Sequence, residues 1–98
     1  MNTFQLSCFL AVAETLSFAR AAEQLSITQP AVTHQIHSLE TELNVKLFVR
    51  TTRTVNLTQE GTLFLNDARN ILALTIRATK RFENPPEQEI QMFSIGWP

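Results

Sequence analysis

The sequence predicts a mainly α-helical chain: three helices, a two-stranded ribbon, then a fourth and longer helix. Three observations predict it. Apolar residues recur at three- and four-residue spacing in four separate segments, which is the period of a half-buried helix. A hydroxyl residue suited to capping a helix stands at the head of each segment: Thr3, Ser17, Thr28 and Thr58. Between the third and fourth segments, Leu47-Phe48-Val49 and Val55-Asn56-Leu57 flank a polar, basic tip, as two short strands do.

Leu6, Phe9, Leu10 and Ala13 put one apolar stripe on a first helix over residues 3–15, which Thr3 can cap. Phe18, Ala21, Ala22 and Leu25 repeat the spacing in a short second helix, and its two alanines let another helix approach closely. Ser26-Ile27-Thr28 interrupts the pattern. Thr28 can cap a third helix, with Pro30 in its first turn, where a missing N–H matters little. Val32, Ile36, Leu39 and Leu43 form its buried stripe, while Pro30, Thr33, His34, His37 and Thr41 share the opposite face. Asn44 suits the left-handed conformation that ends a helix. The ribbon has no glycine, which leaves its turn type open.

Thr58 and Glu60 favour the start of the fourth helix, over residues 58–83. Gly61, Phe64, Ala68, Ile71, Thr75, Ala78 and Phe82 hold a seven-residue period for three repeats, widened by Leu65, Leu72 and Ile76. A helix of about 39 Å, at ~1.5 Å per residue, is longer than one small domain covers. Part of this seam, taken over Phe64, Ala68, Ile71, Thr75, Ala78 and Phe82, is therefore expected to meet a second subunit. Asn84-Pro85-Pro86 stops the helix, and residues 90–95 alternate loosely, as one strand does.

The 98 residues suit one domain rather than two. Cys8 stands alone, so no internal disulfide forms and a reducing compartment is expected. Ala11-Val12-Ala13 is slightly like a signal-peptidase site, but no Lys or Arg precedes it. No run reaches the ~20 apolar residues of a membrane span. A cytoplasmic chain is expected, in which the sequon Asn56-Leu57-Thr58 goes unused. The net charge is −1, yet seven of the nine acidic residues lie outside residues 24–59, where Lys46, Arg50 and Arg53 fall. A polyanion can approach that window with little repulsion.

Helix, helix, helix and ribbon in that order make a winged helix-turn-helix, whose second motif helix fits the DNA major groove. Gln29 can pair with adenine, Pro30 and the Thr33 methyl can touch a thymine methyl, and His34 can donate to guanine N7 or a phosphate. His37 and Ser38 lie farther along, toward the backbone. Arg50 and Arg53 suit phosphates or a narrow A·T-rich minor groove. Thr28 and Thr51 can add hydroxyl contacts to phosphates. Taken singly, a polar helical face is usually just solvated and loop arginines are ordinary. Their weight comes from a topology that puts both on one surface. His34 and His37 lack a third metal ligand, Cys8 reads as inert packing, and no catalytic constellation or phosphate loop occurs. The alternative function is a winged helix used only for protein interaction, in which Arg50 and Arg53 are dispensable.

Leu6, Phe9, Val12, Ala13, Ser17-Phe18, Ala21-Ala22 and Leu25 resemble the start of bacterial LysR-type transcriptional regulators. Gln29-Pro30-Ala31-Val32, Gln35-Ile36, Leu39-Glu40, Leu43, Leu47-Phe48, Arg50, Arg53, Leu57-Thr58 and Gly61 continue the resemblance through residue 83. It implies that Gln29, Pro30, Thr33 and His34 read bases and that Arg53 enters the minor groove. It also implies that the long helix pairs two heads on an inverted repeat, with tetramers of the full-length protein common. Residues 1–58 then form the DNA-binding domain, its helix-turn-helix at about 18–37. Residues 59–83 form the dimerisation helix. Residues 84–98 form a hinge and the start of an effector-binding domain absent from this chain. No cofactor is implied for this chain, and the effector is an unidentified small molecule. Thr33 departs from the family's usual Ser, and Asn44 from its usual Gly.

Overall fold

The computed structural model describes residues 1–83. The expectations for residues 84–98, namely the helix stop at Asn84, the hinge and the late strand, lie outside them. The order is α1 (Thr3–Thr15), α2 (Phe18–Leu25), α3 (Gln29–Leu43), β1 (Phe48–Arg50), β2 (Val55–Leu57) and α4 (Gln59–Glu83). The strands pair antiparallel, with Phe48 opposite Leu57 and Arg50 opposite Val55.

Local chemistry fixes the helix ends. Ser17 and Thr28 accept the N–H groups of Arg20 and Ala31, as expected of N-caps. Thr58 Oγ1 accepts from Gly61 N at 2.9 Å at the head of α4. The cap of α1 is a correction: Asn2, not Thr3, accepts from Gln5 N, and Thr3 is already helical. The first strand is also displaced by one residue, because Leu47 precedes it and turns into the core. Leu16, Ser26 and Asn44 close α1, α2 and α3 in the left-handed region, with φ of 53°, 59° and 58°.

α1 is the central helix and packs on α2, α3 and α4. It is buried on more than the single stripe expected: Leu6, Cys8, Phe9, Ala11 and Val12 are all inaccessible or nearly so. A chain of aromatic contacts crosses this core. The ring of Phe64 lies edge-on to Phe9 at 5.1 Å, Phe9 is 5.4 Å from Phe48, and Phe48 is 6.0 Å from Phe18. Val32, Ile36 and Leu39 bury the expected side of α3, with Leu43 half-buried. Each fully buried side chain of this size contributes roughly 1.5–3 kcal/mol.

The root of the wing is locked from two sides. Glu40 Oε2 on α3 accepts from the backbone N–H groups of Leu47 at 2.7 Å and Phe48 at 3.3 Å. Thr58 donates its backbone N–H to Leu47 O at 3.0 Å and its hydroxyl to Lys46 O. Gly61 sits so close that a Cβ there would fall 2.1 Å from Leu47 O. The Met1 ammonium pairs with the Glu42 carboxylate, tying the start of α1 to the end of α3.

The long seam on α4 divides in two. Phe64 and Ala68 belong to this chain's own core, Ala68 with no exposed surface and Phe64 packed on Phe9. Beyond them Ile71, Ala78 and Phe82 are exposed and Thr75 is half-buried. Leu74 adds to that exposed apolar face, while Ile76, also exposed, lies on the side toward α1, in a cleft with Thr3 and Ser7. The physical reason is length: α1 has 13 residues against the 25 of α4, and its N-terminal end reaches only as far as the cleft where Thr3 and Ser7 face Leu72, Thr75 and Ile76.

Candidate nucleic-acid interface

α3 is held by Val32, Ile36 and Leu39, so its opposite side faces outward. Gln29, Pro30, His34 and His37 are exposed there and Thr33 is half-buried. These five line one open concavity, and the wing closes it with Arg50. A second cleft lies between the start of α2 and the wing. Ser17, Gln29, Arg50, Thr51 and Arg53 all open onto it. Gln29 and Arg50 join the two, so the surface is continuous from recognition helix to wing tip. Thr28 and Ser38, also expected at this surface, line neither concavity. Thr28 is exposed with its hydroxyl oxygen engaged in capping α3, and Ser38 is half-buried.

The wing tip turns without glycine because Thr51 does the work. Its Oγ1 accepts from Arg53 N at 3.2 Å and Thr54 N at 3.0 Å, and lies 2.8 Å from Thr54 Oγ1. Thr51 N donates to Thr54 O at 2.8 Å, closing the turn. A hydroxyl mimicking a backbone acceptor is a common device in turns. Thr51 is thus first a turn former, which leaves Arg53 projecting in the exposed tip.

Arg50 is not a loose loop charge. Its guanidinium carbon lies 4.0 Å from the centroid of the Phe18 ring. Sequence reasoning missed this role for Phe18, and likewise the roles of Glu40 and Gly61. Glu40 stands among the residues around His37 and Lys46, but its carboxylate is committed to the wing root. His34 and His37 have no third metal-ligating side chain beside them among the described residues. Cys8 is fully buried, and that burial pushes its thiol pKa up, away from reactive thiolate. Among the described residues no helix is long and apolar enough to cross a membrane.

Three helices, an arginine-bearing wing and a long following helix make this a winged helix-turn-helix module. Residues 4–62 match the family described as bacterial regulatory helix-turn-helix protein, lysR family, and the chain belongs to that family. It is similar to the HTH-type transcriptional regulator TfdT of Cupriavidus pinatubonensis (strain JMP 134 / LMG 1197), 48% identical over 81 residues that cover 83% of this chain and 36% of TfdT. It is also similar to the glycine cleavage system transcriptional activator of Escherichia coli (strain K12), 46% identical over 78 residues, or 80% of this chain and 26% of that one. The chain thus spans about a third or less of the length of these relatives. Among solved structures, the CbnR DBD–DNA complex superposes with a TM-score of 0.81 at 43% identity, covering 85% of this chain and 95% of that one. The BenM DBD in complex with benA site 1 DNA gives 0.75 at 37% identity, covering 88% and 100%. The relatives bear the names of regulators, not enzymes.

Proposed function

We propose that this chain is the DNA-reading head of a transcriptional regulator and acts as a dimer on an inverted-repeat site in double-stranded DNA. The observation that carries this reading is the single concavity lined by Gln29, Pro30, Thr33, His34 and His37 and closed by Arg50. A helix presented this way fits the major groove, where base edges carry distinguishable donor and acceptor patterns. Gln29, Pro30, Thr33 and His34 read bases. Arg50, Arg53 and His37 meet the phosphate backbone or minor groove, with Thr28, Ser38 and Thr51 as lesser hydroxyl contacts. Phosphate contacts supply most of the affinity, and α3 supplies the discrimination.

The likeness to CbnR and BenM domains crystallised with DNA supports the reading. Full-length CbnR has also been crystallised with its target DNA, and this chain covers 29% of it. By analogy, the full-length protein carries an effector-sensing domain, assembles beyond the dimer as a tetramer and works in the cytoplasm. Residues 1–58 form the DNA-binding domain, residues 59–83 the pairing helix, and residues 84–98 lead into the sensing domain. The exposed half of the α4 seam, from Ile71 to Phe82, is the part available for pairing.

The test is selection from a random duplex pool at near-physiological salt. Enrichment of a two-fold symmetric motif supports a dimeric sequence reader. Binding without enrichment reduces the function to charge-driven affinity, and no binding at low salt overturns it.

A further inference from the structure

We propose that Phe18 is a positioning residue for DNA binding: its ring presets the Arg50 guanidinium at the junction of the α3 concavity and the wing cleft. There Arg50 meets a phosphate at the rim of the groove, a role separate from that of Arg53 at the tip. The inference rests on the DNA-reading function above and deepens it.

Four observations carry it. The guanidinium carbon lies 4.0 Å from the Phe18 ring centroid, well within cation–π range. The ring itself is fixed: Phe18 is 4% exposed and rests edge-on against Phe48, which packs on Phe9 at the centre of the core. Arg50 lines both the α3 concavity, beside His34 and His37, and the cleft that holds Arg53. No acid competes for it, since the one ion pair among the described residues is Met1–Glu42 and the Glu40 carboxylate is bonded to Leu47 and Phe48 N–H groups.

A cation over a ring is held through the ring's quadrupole and spends none of its N–H groups. The five donors of the guanidinium therefore stay available for a phosphate, which suits their fork geometry. An arginine free in solvent loses its rotamer freedom when it binds, whereas one already stacked has lost it during folding. Phe18 thus raises affinity without touching DNA.

The experiment is a double-mutant cycle on the 98-residue chain with a duplex it selects. Phe18→Leu, Arg50→Ala and the double variant are titrated at several salt concentrations, after circular dichroism confirms the fold. Arg50→Ala is expected to weaken binding and to lower the salt slope by about one. Phe18→Leu is expected to weaken binding about two- to fivefold with the slope unchanged, because the phosphate is still neutralised. The double variant is expected to bind as Arg50→Ala does. In the free chain, ring current from Phe18 shifts the Arg50 δ-methylene protons upfield, and Phe18→Leu removes the shift.

Additive losses, a Phe18→Leu variant that binds like the parent, or Arg50 protons without a ring-current shift would each overturn the proposal. Should Phe18→Leu fail to fold, Arg50→Lys decides. It keeps the charge and loses the planar fork, so weaker binding at an unchanged slope is expected, and parental affinity would overturn the role. A parent chain that binds no duplex instead refutes the DNA-reading function itself, a result distinct from any of these.

Discussion

The Glu40 carboxylate accepts the Leu47 backbone N–H at 2.7 Å, so an acid in the middle of the segment proposed to face DNA serves the fold. Without it, the amides of Leu47 and Phe48 lose their partner in a half-buried place. Hydrogen bonds to a charged group contribute about 1.5–3 kcal/mol each at most. Glu40→Ala is expected to lower stability by ~2 kcal/mol, or roughly 10 °C in Tm for a chain of this size. Urea unfolding checks it, and a loss below ~0.5 kcal/mol would mean that water replaces the carboxylate.

Gly61→Ala adds a Cβ 2.1 Å from Leu47 O, and a backbone oxygen cannot swing aside as a side chain can. Helix propensity alone would favour alanine by ~1 kcal/mol. The clash should outweigh that and leave the variant ~1–3 kcal/mol less stable. A variant more stable than the parent would show that the wing root yields easily.

Arg53→Ala is expected to weaken binding to all duplexes alike and to lower the salt slope by about one. Its side chain projects from a turn built by Thr51, so its removal leaves the turn standing. Titration at several salt concentrations reads this, and an unchanged slope sinks the assignment of Arg53 to the DNA backbone.

Gln29→Ala and Thr33→Ala are expected to behave in the opposite way. Each relaxes preference at one base pair by ~1–3 kcal/mol and leaves the salt slope in place. Repeating the duplex selection with each variant is the check. An unchanged motif would mean that α3 does not read the bases.

Ile71→Asp is expected to convert dimers to monomers, because a lone carboxylate in an apolar pairing face has no partner. Ile71 is 37% exposed and lies past the part of α4 that this chain's own core covers, so the fold should survive. Sedimentation at micromolar concentration distinguishes the outcomes. A persisting dimer would place the pairing surface elsewhere.

Much of this architecture is legible in the sequence because it is written in local signals. Ser17, Thr28 and Thr58 cap by contacts three residues away, and Val32, Ile36 and Leu39 repeat at helical period. The features that escaped depend on partners far along the chain. Phe18 and Arg50 meet across 32 positions, and no periodicity marks such a pair. Gly61 reads as one more small residue in a seam until the Leu47 carbonyl appears beside it. Phe64 and Ala68 keep the heptad rhythm of their neighbours, yet α1 claims them first, since a seven-residue period does not say which helix is the partner. Asn2 and Thr3 are both good caps one position apart, and only the backbone angles choose between them.

The junction at Thr58 has a mechanical meaning. Two hydrogen bonds and a close glycine contact leave no slack between the wing and the helix that follows it. With 25 residues, α4 is a lever about 37 Å long at ~1.5 Å per residue. A tilt of about 5° moves its far end by about 3 Å at that rise. No proline interrupts α4 and its one glycine is Gly61 at the root, so a displacement of its far end is passed toward the wing through a continuous helix.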